Sequence, residues 1–284
     1  MSADKFKLCA IIPPVRINGF CSVHTGIRQV GYSYSGESHN FWECVFIFKG
    51  CAGVTAGETA YTLKEGQMIL HPPGEFHRLW NAGDDSLRIS IACFSAESFP
   101  IDHRRICEFR QEDDIHSIIH NVRKLFVTNG IFTERPKDDV SASDIQRAVG
   151  SFEMLLSELL TRKYENTEVK VEKDRNSELY SKAVKVMKNN MSLKLSASEI
   201  SNACGMSIST MQKLFYRYTG MGMMKYYESI KMNRARELLA DGYMVKEVAL
   251  ELGFNDQNYF STAYKRFFGA PPSESPRGIY VSKI

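Results

Sequence analysis

This chain is predicted to be α+β: a strand-rich N-terminal barrel followed by amphipathic helices, then an all-α C-terminal part built from two helix-turn-helix units joined by a connecting helix. Three observations support that expectation. From about Ile11 to Phe99, short aromatic and β-branched runs (FWECVFIFKG, TAYTLKEG, SLRISIACF) alternate with glycines, prolines and other turn residues. Apolar residues then recur at steps of three and four. Finally, the last hundred residues contain one helical pattern twice.

The first pattern suits a small antiparallel barrel or sandwich, assigned to residues 1–110. Ile115, Ile118, Ile119, Val122, Leu125 and Phe126 predict an amphipathic helix over Asp113–Val127. After the polar break TERPKDD, a run from Ile145 and Ala148 to Leu159 and Leu160 predicts another over Ser143–Arg162, and the two make up a helical region at 111–163. The polar stretch KYENTEVKVEKDRNSE marks a linker at 164–177, and 178–284 is expected to be helical throughout.

Within that last segment SEISNACGMSISTMQKLFYRYTG and KEVALELGFNDQNYFSTAYKRFFG superpose. Gly205 falls on Gly253, and Met211, Leu214, Phe215 and Tyr218 fall on Phe260, Ala263, Tyr264 and Phe267. Each unit is a short helix, a glycine turn and a longer helix that buries an aromatic stripe, which is the helix-turn-helix pattern. Ser196 with Glu199 is spaced as a capping box; Ser207, and Asp256 or Asn255, are placed to cap the long helices. The outer face then carries Ser209, Thr210, Gln212, Lys213 and Arg217 in the first unit and Gln257, Asn258, Ser261, Thr262, Lys265 and Arg266 in the second. Amides, hydroxyls and cations of this kind read base edges and hold phosphates. Met223–Ala240 reads as a connector of about 27 Å at 1.5 Å per residue, against the roughly 34 Å between successive major grooves.

Composition excludes several classes. At 284 residues, 43% hydrophobic and 24% charged, the chain is neither disordered nor fibrous. No run of about 18 apolar residues occurs, and Pro13 and Pro14 break the apolar N-terminus too early for a signal peptide, so a cytoplasmic protein without membrane contact is expected. Seven scattered cysteines without a CxxC pair read as reduced thiols, mostly in the core. From Ser177 onward 15 Lys and Arg face 9 Asp and Glu, whereas the preceding residues carry 21 against 24, so the basic surplus lies where a polyanion would bind. There is no phosphate loop, nucleophile elbow or HExxH sequence, and neither a catalytic residue nor a cofactor is expected.

The C-terminal motifs, including RARELLADG and FFGAPPSE, closely resemble the DNA-binding domain of AraC/XylS-type transcription regulators over about 100 residues. The resemblance implies that Ser209, Gln212, Lys213, Gln257, Asn258 and Thr262 face the bases of a double-stranded operator. Thr262 and Tyr216 depart from the cations common there, which leaves Arg217, Lys265 and Arg266 as backbone contacts. Upstream, Gly31, Glu37, His39, Glu43 and Gly50, then Gly66, Pro72, His77 and Asn81, are spaced like the paired motifs of the cupin barrel, the sensor domain of many such regulators. Glu37 stands where metal-binding cupins have a histidine. Glu37, His39, Glu43 and His77 therefore admit three readings: an effector pocket with Trp42, Phe76 or Trp80 as its apolar contact, a divalent metal site, or structural polar groups; no metal is assigned. His71 is expected to be structural. The family also implies a homodimer, with Leu155, Leu156, Leu159 and Leu160 as its contact, and the transcription machinery as a further partner. The expected function is a DNA-binding regulator responding to a small effector such as a sugar. The alternative is a metal-dependent cupin enzyme with a helical appendage.

Overall fold

The computed structural model describes residues 13–99, 105–110, 114–161, 175–275 and 281–283. The chain forms β1 (Arg16–Arg28), β2 (Glu37–His39), β3 (Trp42–Lys49), β4 (Cys51–Ala56), β5 (Thr59–Lys64), β6 (Gln67–His71), β7 (His77–Asn81), β8 (Leu87–Ser98) and β9 (Ile106–Glu108). Next come α1 (Ile115–Lys124), the hairpin β10 (Phe126–Asn129) and β11 (Phe132–Pro136), and α2 (Ala142–Thr161). The helical part is α3 (Arg175–Asn189), α4 (Ala197–Cys204), α5 (Ile208–Thr219), α6 (Met223–Ala240), α7 (Val245–Glu251) and α8 (Gln257–Phe268), and β12 (Val281–Lys283) follows.

Two sheets enclose the barrel, one ordered β10-β11-β1-β8-β3-β6-β9 and the other β12-β2-β7-β4-β5. Side chains alternate between the two faces of a strand. Val45, Ile47, Ile69 and Ile89 accordingly pack inside against Ala52, Val54 and Leu63 of the opposite sheet. The intervening Cys44, Phe46, Met68, Leu70, Ala92 and Phe94 point outward, where Ile119 and Val122 of α1 and Phe152 and Leu156 of α2 cover them.

Three expectations need correction here. The first amphipathic helix ends at Lys124, because Phe126 and Val127 turn into the hairpin that joins the larger sheet through Ser22 and Phe132. Leu155, Leu156, Leu159 and Leu160 are buried in the chain's own core and so are not free to form a dimer contact. The C-terminal segment is not wholly helical: β12 returns to the barrel and pairs antiparallel with β2, Ser282 opposite Ser38. Most of the expected linker, 164–174, lies outside the described residues.

The repeat folds as its spacing predicts. Ser196 and Glu199 form the capping box on α4, Ser207 accepts from the Thr210 amide on α5, and Asp256 accepts from the Tyr259 amide on α8. Both turn glycines, Gly205 and Gly253, have φ of 71°, a conformation glycine adopts without steric cost. Tyr180, Met211, Phe215 and Tyr226 form one core, Met232, Val248, Phe260 and Tyr264 another, and α6 runs through both. Ala60 and Phe76 of the barrel enter the first of these cores. The Tyr180 hydroxyl donates to the Gly57 carbonyl at 3.0 Å, and Lys188 meets Glu58 at 3.1 Å. No helix among the described residues is long and apolar enough to cross a membrane.

Candidate functional site

The barrel's alternation brings Glu43 and His77 inside, where β2 adds Glu37 and His39; Glu37 stands directly opposite His77. One ligand atom from each of the four lies within 4.8 Å of the others, and all but Glu37 are buried. His39 Nδ1 sits 3.0 Å from the Phe41 carbonyl, and His77 Nδ1 3.1 Å from the Glu75 carbonyl. A carbonyl can only accept, so both Nδ1 atoms carry a proton and each ring turns its Nε2 toward the centre of the cluster. Both Nε2 atoms are buried without a hydrogen-bond partner, 3.5 and 3.6 Å from the Glu43 carboxylate.

The electrostatics reinforce this. Burial pushes His77 down to about 3, despite the pull of Glu43. Burial would raise Glu43, but the imidazoles of His77 and His39 outweigh it and hold the carboxyl below the usual carboxylate range. Near neutral pH His77 is therefore uncharged and its Nε2 lone pair stands beside the Glu43 carboxylate. The Cys93 thiol donates to Glu43 at 3.1 Å and the Tyr34 hydroxyl to Glu37 at 2.7 Å. Glu37, Glu43 and His77 open into a cavity of about 170 Å³ whose other walls include Tyr32, Phe41, Leu79, Ile91 and Phe132; His39 does not line it.

All three expected aromatic contacts fall elsewhere. Trp42 is one residue from Glu43 and so faces outward, stacked on Phe99 at 4.3 Å. Trp80 is three residues from His77 and likewise leaves the cavity, packing beside the helical core near Tyr218. Phe76 lies edge-on to Tyr226 at 5.3 Å, in the contact between barrel and helices. The aromatic walls come instead from Tyr32, Tyr34 and Phe41, which the motif spacing did not single out. Cys93 was missed because its place opposite Glu43 depends on strand register. His71 borders the cavity, but its Nδ1 donates to Glu75 at 2.9 Å, in keeping with a structural role.

On the helical units Ser209, Thr210, Lys213 and Arg217 of α5, and Gln257, Asn258, Thr262, Lys265 and Arg266 of α8, are exposed, and Ser261 is half-buried. Gln212 is turned back, its Oε1 accepting from the Met223 amide at the start of α6 at 3.2 Å. Arg266 is held by Glu228 of α6 at 2.6 Å.

A helix-turn-helix domain family matches residues 200–277, and a cupin domain family matches residues 27–93. Over 256 residues the chain is 23% identical to the HTH-type transcriptional activator RhaS of Yersinia pestis, spanning 87% of this chain and 89% of that protein. Over 93 residues it is 31% identical to the HTH-type transcriptional regulator ArgR of Pseudomonas aeruginosa, 32% of this chain and 28% of that one. The crystal structure of a transcriptional regulator with an AraC-type DNA-binding domain from Chromobacterium violaceum is 33% identical, with a TM-score of 0.32, covering 34% of this chain and 87% of its own.

Proposed function

Given that this chain is an AraC/XylS-type transcription regulator and not an enzyme, with a cupin-like domain ahead of its helix-turn-helix domain, we propose that a small donor-rich molecule binds in the barrel and sets how the chain holds its operator. The observation that carries the effector reading is the pair of unpartnered Nε2 atoms facing the Glu43 carboxylate. Buried polar atoms without partners are costly. A sugar or related polyol supplies several hydroxyl donors, and Tyr32, Tyr34 and Phe41 offer apolar faces to its ring.

A divalent metal ion is the second reading, favoured by the same two Nε2 atoms and by the close approach of four ligand atoms. Glu37, His39, Glu43 and His77 would hold it, and it would neutralise the carboxylates and anchor an oxygen-rich effector. Calorimetry of the full chain against a polyol panel, with and without chelator, tests both. Heat that survives chelation and is lost in Glu43→Gln supports direct binding, heat restored only by added zinc or manganese supports the ion, and no heat in either condition sinks the effector reading.

On the DNA side, Ser209, Thr210, Lys213, Gln257, Asn258, Ser261 and Thr262 are proposed to face the bases, with Arg217 and Lys265 on phosphates. Gln212 and Arg266 serve α6 in this arrangement. Selecting sites from a random DNA pool at two salt concentrations should enrich two short blocks about one helical turn apart. Residues 1–110 are taken as the effector part and 178–284 as the reader, working in the cytoplasm as a homodimer that meets the transcription machinery through surfaces other than the α2 leucines.

A further inference from the structure

The first recognition helix, α5, ends against the barrel. An α-helix leaves its last four carbonyls without intrahelical donors. Gly220, with φ of 72°, returns its amide to the Tyr216 carbonyl, and the next two carbonyls are satisfied from the barrel. Arg78 Nη1 donates to Arg217 O at 2.7 Å, and the Thr55 hydroxyl donates to Tyr218 O. Arg78 and Thr55 lie directly opposite each other on β7 and β4. The cross-strand pair thus forms a cap for a helix in another domain, with a cation at the negative end of the helix dipole. The approach is close: a Cβ on Gly220 would stand 3.2 Å from Arg78 Nε.

The other arms of the guanidinium reach the pocket wall. Nε donates to Tyr34 O at 2.7 Å and Nη2 donates to Ser33 Oγ. Tyr34 in turn bonds Glu37, Arg78 follows His77 directly in sequence, and both Tyr34 and Arg78 line the cavity. One side chain therefore spans from the wall of the effector cavity to the end of a DNA-reading helix.

We propose that Arg78, with Thr55, is the positioning residue that caps α5 from the sensor and passes the state of the pocket wall to it. The proposal rests on the effector reading for its cause, and the capping part stands without it. Lysine cannot replace arginine here, because a single ammonium cannot hold three acceptors in the fixed fork of a guanidinium.

Amide hydrogen exchange on the full chain is the test, paired with site selection from a random DNA pool. Arg78→Ala should speed exchange of amides 218–220 about tenfold or more, as loss of a charge-assisted bond implies, and leave α8 unchanged. The selected site should lose preference in the block read by α5 and keep it in the block read by α8. Arg78→Lys should keep the thermal midpoint yet behave like alanine in both readouts. Tyr34→Phe should speed the same amides in the parent chain and add nothing in Arg78→Ala. Unchanged exchange at α5, equal loss in both blocks, or a lysine variant like the parent would overturn the proposal. If calorimetry finds no ligand while the exchange pattern holds, the pocket reading fails and the cap survives.

Discussion

The buried imidazole of His77, which lines the cavity, also makes the folded chain sensitive to acid. His77 is kept neutral by burial down to about 3, whereas the same side chain takes up a proton near 6.5 once unfolded. Below 6.5 the unfolded state binds more protons, so stability is fully present above that value and is lost as pH falls from about 6.5 toward about 3. The depressed Glu43 adds a loss of the same sign at lower pH. In chelator, the unfolding free energy obtained from urea titrations should drop through this window by an amount on the order of a few kcal/mol, and His77→Gln should flatten the drop; a flat profile in the parent would mean that burial does not hold His77 neutral in the fold. The reading face offers a second residue-scale contrast. Gln257→Ala should cost about 1–3 kcal/mol at one base position. Gln212→Ala removes an acceptor from the start of α6 and should weaken all sequences evenly, as competition binding with single-base variants of the site would reveal. The four residues of the polar cluster were legible because motif spacing is local, whereas Trp42 and Trp80 stand at odd separations from Glu43 and His77 and so face away from the cavity.

Elements that look equivalent in sequence need not be equivalent in space. Gly205 and Gly253 share a φ of 71°, but nothing lies within 4 Å of a Cβ added at Gly205, whereas at Gly253 the Ser192 carbonyl oxygen would stand at 1.8 Å. Gly205→Ala should therefore cost only the left-handed backbone penalty, about 1–2 kcal/mol. Gly253→Ala adds an overpacking penalty and should cost on the order of 3 kcal/mol or more, measured by urea denaturation; equal costs would mean that the segment carrying Ser192 yields freely. The helices of the repeat were legible because caps, glycine turns and aromatic stripes all fall within a few residues of one another. The β10–β11 hairpin was not read, although its signal was present: Asn129–Gly130 is a strong hairpin dipeptide, hidden because Leu125 and Phe126 continue the helical spacing of α1. The return of β12 to β2 had no local signal, since its partner lies more than 240 residues earlier.

At the scale of the molecule, the question is whether the barrel and the helices act through their contact or merely share a chain. A ligand shifts an equilibrium only by its different affinity for two arrangements, so a regulator of this design needs a second arrangement in which the contact is changed. Ala60 is a sensitive point. It lies on β5, buried among Tyr180, Tyr226 and other residues of the helical core, whereas Leu63 of the same strand faces the barrel interior. From sequence Ala60 is one small strand residue among many, which is why the docking was invisible there. Ala60→Glu would bury a charge without a partner, a cost of several kcal/mol that undocking avoids, and it leaves no cavity in either domain. The variant should scatter X-rays with a larger radius of gyration and, with α5 uncapped, lose preference in the block read by α5 and keep it in the block read by α8, while its DNA affinity no longer shifts with the ligand that calorimetry identifies. Retained ligand dependence in an undocked chain would move the coupling to a contact between two copies, and the cap on α5 would then serve stability alone.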